Sequence, residues 1–270
     1  MACGTEPIEA RPNNALAQAT VRHLTCLIRC ILMCNVGLRV HTYVLPYRYG
    51  QTARGGQMNN AQQKKIEFRG TVRAVQVRSD VWRYRLDNRT HSHKGYNVFL
   101  EGVSAGVEGR FSVAVSEKQQ QKLHLRLGDE LMGTAWTKLY PKREYADYYR
   151  AGALKVVARG PEPVEGPRPP WTGEVEPLAT YAYRQCRMLD TRRYKGKCFT
   201  CKWAAMANAI IEYDFGVSQR LRFESFCYGP KSCPLYTMGR PRAVPYKGMG
   251  SVYDEGWLDS DITAHRDWDE

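Results

Sequence analysis

Ile66-E-F-R-G-T-V-R-A-V-Q-V-Arg78 alternates apolar and polar side chains, with one slip around Ala74 and Val75. A period of two places successive side chains on opposite faces of a strand, and one slip is what an extra residue in the ladder produces. The stretch reads as a long, bulged β-strand. Downstream residues continue the pattern. A turn is expected at Ser79 and Asp80, after which V-W-R-Y-R-L sets Trp82, Tyr84 and Leu86 on one face and Arg83 and Arg85 on the other. Tyr96 to Leu100 is a further strand, entered through the polar turn N-R-T-H-S-H-K-G. Gly109 to Val115 alternates again, and Ser116 to Leu123 is a short helix with a serine cap and Glu117 in its first turn. Asp129 to Thr137 resumes strand, and Leu154 to Ala158 ends the set.

Short strands, one interposed helix and a first strand long enough to bend suit a small closed barrel better than a sandwich. Over residues 64–160 the order resembles an OB-fold, in which a helix bridges the third and fourth strands. The resemblance rests on order and periodicity, and it implies a mainly β (α+β) chain: a small OB-like five-stranded barrel with one helix, followed by a small helix-containing cysteine module.

The sheet is decorated with cations. Between Ile66 and Leu100 stand Arg69, Arg73, Arg78, Arg83, Arg85, Arg89 and Lys94, against Glu67, Asp80 and Asp87. The whole chain carries 40 Lys and Arg against 27 Asp and Glu, a net charge of +13. Such an excess favours phosphate-bearing partners. Proteins that hold single strands combine a cationic groove with aromatic platforms for the bases. Trp82, Tyr84, Tyr96 and Phe99 are the candidate platforms, and Lys142, Arg143, Tyr145, Tyr148 and Tyr149 extend the groove from a tyrosine-rich loop before the last strand. Since Trp82 and Tyr84 share one face and Arg83 and Arg85 the other, one of the two sets is expected in the core. His91 and His93 have no acidic cluster beside them and are read as solvent-exposed turn residues.

Four cysteines fall in two close pairs: C-F-T-C at Cys198 to Cys201, and F-C-Y-G-P-K-S-C with Cys227 and Cys233. Two thiolates separated by two residues can bend round one ion, and a second pair can complete a four-sulfur shell. Both pairs lie in turn-forming company, beside Gly196, Gly229, Pro230 and Ser232. Zinc is the default ion, while a 4Fe–4S cluster suits the same shell; the wider second spacing and the extra thiol of Cys186 keep iron–sulfur open. Between the pairs, Trp203 to Tyr213 (W-A-A-M-A-N-A-I-I-E-Y) is expected as a helix packed on the knuckle. The second pair opens a segment, F-C-Y-G-P-K-S-C-P-L-Y, that resembles a signature recurring in prokaryotic proteins.

Domain limits come from composition. Residues 1–57 are read as a poorly ordered leader; its apolar piece, Cys30 to Leu38, is far short of the roughly 20 residues that span a membrane. Cys26, Cys30 and Cys34 recur at helical spacing, but incidental cysteines are favoured over a second metal site, and Met58 is an alternative start. Residues 58–158 form the barrel. Residues 159–177, rich in proline and glycine, are read as a spacer; the unit P-E-P-V-E-G-P resembles a translated mobile repeat. Residues 178–270 form the cysteine module, with the basic cluster R-R-Y-K-G-K before the first pair and an acidic tail read as solubilising.

Nine cysteines are too few for a disulfide scaffold of this length, and no signal peptide stands out, so a reducing cytoplasm is expected and a membrane is not. Nucleotide-binding glycine loops, a G-x-S-x-G elbow and H-E-x-x-H are all missing from the sequence, which gives no positive sign of an enzyme. The favoured function is a nucleic-acid-binding accessory protein that grips single-stranded DNA or RNA, with a structural zinc module. The alternative is a redox protein whose four cysteines hold iron–sulfur while the barrel docks a protein partner.

Overall fold

The computed structural model describes residues 63–84, 88–162, 166–213, 218–240, 243–246, 249–252 and 255–267. The leader with Cys26, Cys30 and Cys34, Met58, Arg85 and the side chain of Tyr84 lie outside the described residues. The protein is mainly β.

Its first half is built from β1 (Lys65–Tyr84), β2 (Asn88–Ser104), β3 (Val107–Val115), helix α1 (Glu117–Leu123), β4 (Glu130–Thr137) and β5 (Tyr148–Ala158). Alternating Val72, Val77, Val98, Leu100, Val113, Val115 and Leu131 are fully shielded from solvent, and each such side chain contributes about 1.5–3 kcal/mol by leaving water. Antiparallel ladders join β1 to β2, β2 to β3, β4 to β5 and β1 to β4. Between β3 and β5 the pairing is parallel and consists of Val113 with Tyr148. The five strands thus form a partly closed sheet, thinnest at that last seam. A bulge falls between Val72 and Ala74, where the alternation slips. Helix α1 starts at Ser116, whose side chain caps Gln119 in a reciprocal capping box.

Two expected turns are strand instead. β1 runs straight through Ser79 and Asp80 to Tyr84, and N-R-T-H-S-H-K-G is the first half of β2. The turn preference of serine and aspartate is overridden because this part of β1 is paired on both sides: Ser79 lies opposite His93 on β2, and Asp80 to Arg83 run parallel to Asn208 to Ile211.

That parallel partner is β7 (Ala204–Tyr213), the segment expected as a helix. Its alanines favour helix only weakly, by tenths of a kcal/mol per residue, whereas β8 (Ser218–Cys227) pairs with it along its whole length and β1 pairs with its Asn208 to Ile211 on the other edge. From Ala204 to Ile211 every side chain is buried, so no alternation survives in the sequence. Helix α2 (Leu178–Arg184), the two-residue strand β6 (Arg187–Met188) and the short helix α3 (Thr191–Arg193), which widens into a π-helical turn over Tyr194–Cys198, precede it. A small hairpin of β9 (Ala243–Tyr246) and β10 (Met249–Val252) and helix α4 (Glu255–Ile262) come after β8.

One sheet therefore runs β2-β3-β5-β4-β1-β7-β8-β6, and Met58–Glu270 is one compact unit. The segment expected as a free spacer is built into it. Val175 is buried, the carbonyl of Trp171 accepts from the Lys202 amide at 2.7 Å, and the carbonyl of Glu176 accepts from the Tyr96 hydroxyl at 2.7 Å. Nor is the acidic tail only solubilising: Asp259 of α4 is buried and accepts from Arg89 and from the Met188 amide. Among the described residues no helix is long and apolar enough to cross a membrane.

Candidate functional site: a thiol cavity and an aromatic cleft sharing one turn

The β7–β8 hairpin explains the distance in sequence between the two cysteine pairs. Ala204 at the start of β7 lies opposite Cys227 at the end of β8, so the segment entering β7 and the segment leaving β8 run side by side. The Tyr228 amide donates to the Trp203 carbonyl at 2.8 Å and fastens these two segments together. Cys198, Cys201, Cys227 and Cys233 all line one small cavity of about 10 Å³, walled by Pro169, Pro170, Trp171, Trp203 and Tyr236. All four are free thiols, as is Cys186.

Burial favours the neutral form of three of the four thiols. Burial pushes Cys198 up to about 11 and Cys201 up to about 12, and it raises Cys227 as well; the other thiols of the set add to each shift. Opposing contacts favour the thiolates: backbone hydrogen bonds from Trp203 and Trp171 act on Cys201, and the Arg187 guanidinium and the Gly229 backbone act on Cys227. Among the described residues no three His, Cys, Asp or Glu side chains are drawn together closely enough to hold an ion as they stand.

Between the first two cysteines, Phe199 and Thr200 face elsewhere. They line a cleft of about 790 Å³ together with Val72, Arg73, Phe99, Leu100, Glu101, Arg110, Phe111 and Tyr145. Phe199 packs edge-on against Phe99 at 5.0 Å between ring centroids, Phe99 against Tyr145 at 6.2 Å, and Tyr145 against Phe223 at 5.2 Å. The buried Gln76 of β1 fixes the turn, donating to the Phe199 carbonyl at 2.6 Å and accepting from the Tyr194 hydroxyl at 2.8 Å. A four-residue turn thus presents thiols to one cavity and an aromatic ring to the other.

No family model, curated protein or solved structure matches this chain. What the site can do is read from its residues alone.

Charge at the cleft is mixed. Arg73 reaches Glu101 at 2.7 Å, Arg110 reaches the same carboxylate at 3.5 Å, and Asp147 faces Lys138 at 3.5 Å. Further exposed cations lie on neighbouring segments: Lys142 and Arg143 on the loop that carries Tyr145, and Lys195 and Lys197 on the π-helical turn directly before Phe199.

The structure divides the expected groove residues. Arg73, Phe99 and Tyr145 meet in the cleft. Arg69 is exposed and paired with Glu130, Lys94 with Asp80, and Trp82 is half-buried; none of these lines the cleft. Arg83 and Arg89 are buried, Arg83 at 2.7 Å from Glu224 and Arg89 at 2.5 Å from Asp259. Tyr96 is buried too, and burial raises its phenol well above the usual range. At this end of β1 it is Arg83, and not its neighbour Trp82, that is fully buried.

His91 and His93 are not exposed turn residues. Both are half-buried on β2, His93 Nδ1 at 2.6 Å from Ser79 Oγ and His91 Nε2 at 2.8 Å from Cys186 Sγ, with the Tyr228 hydroxyl 3.3 Å from His91 Nδ1. A thiol beside an imidazole invites comparison with a nucleophile and its base. Burial decides against that here: it pushes the Cys186 thiol up to about 12, and burial together with the charge of Arg89 holds His91 well below its ordinary value. Both partners are neutral, a structural hydrogen bond and not a thiolate–imidazolium pair. Phe199, Phe111 and Tyr228 are not marked in the sequence, because nothing local shows which aromatic residues a distant hairpin brings together.

Proposed function

We propose that this protein binds single-stranded nucleic acid, DNA or RNA, on an OB-like five-stranded barrel, and that a zinc ion held by Cys198, Cys201, Cys227 and Cys233 fixes the turn that closes the binding cleft. Support for the barrel comes from the ring of pairings β1–β2–β3–β5–β4–β1, with α1 between β3 and β4. Support for the ligand comes from the cleft: Phe99, Phe111, Tyr145 and Phe199 offer ring faces and edges of the kind on which bases stack, and stacking tolerates any base. Lys142, Arg143, Lys195 and Lys197 stand on the segments that supply two of those rings, and they are free to meet phosphates.

The observation that carries the proposal is the shared turn, in which Cys198 and Cys201 face the thiol cavity while Phe199 and Thr200 face the cleft. The size of the thiol cavity favours a single ion over a 4Fe–4S cluster, since about 10 Å³ is close to what one water-sized sphere needs. Four thiolates are a natural zinc shell, and such a site adds folding energy outright. The five thiols among the described residues, all free, suit a reducing cytoplasm.

Fluorescence anisotropy with labelled mixed-sequence oligonucleotides tests the ligand. Binding is expected to weaken linearly in log–log form as salt rises, because phosphate contacts release counterions. Failure to bind any single strand at low ionic strength overturns the proposal.

A further inference from the structure

The backbone just after Cys227 is gripped by arginines. Arg184 Nε donates to the Tyr228 carbonyl at 2.7 Å, Arg187 Nη2 to the Pro230 carbonyl at 2.7 Å, and Arg266 Nη1 to the carbonyls of Tyr228 and Gly229 at 3.2 Å each. Their exposures are 8%, 8% and 3%. Arg187 also stacks on Tyr236 at 3.9 Å, and Arg184 on Trp203 at 4.6 Å, both rings being walls of the thiol cavity.

Carbonyls satisfy hydrogen bonds but do not neutralise charge. Among the described residues neither Arg187 nor Arg266 has an ion pair with a carboxylate, and Arg266 Nε and Nη2 have no hydrogen-bond partner. Burial, then the neighbouring charges of Arg184 and Arg187, push the Arg266 guanidinium down to about 10. Buried like charges of this kind call for an anion, because an uncompensated buried ion is strongly disfavoured. Cys227 stands beside them, its sulfur hydrogen-bonded by the Arg187 side chain.

We propose that Arg187 and Arg266 are the counter-charge of a divalent metal–tetrathiolate centre. A divalent ion taken up by the four thiols releases four protons to solvent and leaves a centre of net charge −2, matched by two guanidinium groups. The inference rests on the metal centre proposed above and is independent of nucleic-acid binding. It assigns these arginines a positioning role, acting on the metal through the sulfurs and the knuckle backbone.

Cobalt(II) titration of the full chain, stripped of metal and kept reduced, tests it. Competition with a chelator gives the affinity, and the sulfur-to-cobalt absorption reports the thiolate shell. Arg266→Gln and Arg187→Gln, which keep a donor and lose the charge, are expected to weaken cobalt binding at least tenfold. Arg266→Lys, which keeps the charge, is expected to recover most of the loss, and Arg220→Gln, an exposed change on β8, to leave it unaltered. Should Arg266→Gln not fold, Arg187→Gln carries the same expectation. Variants that lower the melting temperature of the metal-free chain but keep wild-type cobalt affinity overturn the assignment and leave the arginines as backbone clamps. A wild-type chain without the thiolate–cobalt spectrum overturns it together with the metal centre, while a failure to bind oligonucleotides with that spectrum intact bears on the cleft and not on the arginines.

Discussion

Arg83 Nη2 of β1 lies 2.7 Å from Glu224 Oε2 of β8, with both side chains fully out of solvent. The pair reaches across β7 and ties the five-stranded sheet to the strand that delivers Cys227. Burial alone raises the Glu224 carboxyl, but Arg83 and Arg222 outweigh it and hold it below the usual carboxylate range. Breaking such a pair costs far more than never having made it. Glu224→Ala leaves two arginines facing an emptied site and is expected to lower stability by about 3–5 kcal/mol in urea unfolding. The double variant Arg83→Met, Glu224→Ala is expected to be less destabilised than the single effects added together.

Acid should loosen the same region through His93. Burial holds its imidazole at about 4, whereas in the unfolded chain it titrates near about 6.5. Between those values the unfolded state binds the extra proton, so the stabilising contribution is intact above about pH 6.5 and is lost as pH falls towards 4. Thermal unfolding across that window is expected to show a falling melting temperature, with a shallower slope in His93→Gln. An equal slope in both proteins contradicts the assignment.

How far the sequence foretells this architecture depends on which force acts where. The β1 alternation, its bulge and the serine-capped helix are local and legible, since each is encoded in neighbouring side chains. W-A-A-M-A-N-A-I-I-E-Y is not: in a strand buried on both faces the period of two vanishes, and alanine reads as helix until β1 and β8 are known to flank it. Arg83 and Arg89 likewise pass for a cationic surface because their partners, Glu224 and Asp259, are remote in sequence. The four cysteines line one cavity, and a hairpin and not a helix closes the loop between the pairs.

The aromatic cleft makes a direct prediction. Phe199→Ala removes the ring that the turn sends into it and is expected to weaken oligonucleotide binding by about 1–3 kcal/mol, roughly 5- to 150-fold. Anisotropy measures the loss, and circular dichroism checks that the fold persists. Unchanged affinity places the bases elsewhere.

Thiols pushed up to about 11 and 12 must give up protons before they can bind metal. Zinc affinity, measured by chelator competition, is therefore expected to climb by at least roughly tenfold between pH 6.5 and pH 8, with proton release on binding. An affinity that does not depend on pH contradicts thiolate ligation.

The account stands on the turn that Cys198, Phe199, Thr200 and Cys201 share between two cavities. Its most direct test is the dissociation constant for one labelled single strand, measured on the zinc-loaded chain and again after the metal is stripped under reducing conditions. Coupling through the turn predicts at least tenfold weaker binding once zinc is gone, restored on adding it back. Equal dissociation constants in the two states contradict it.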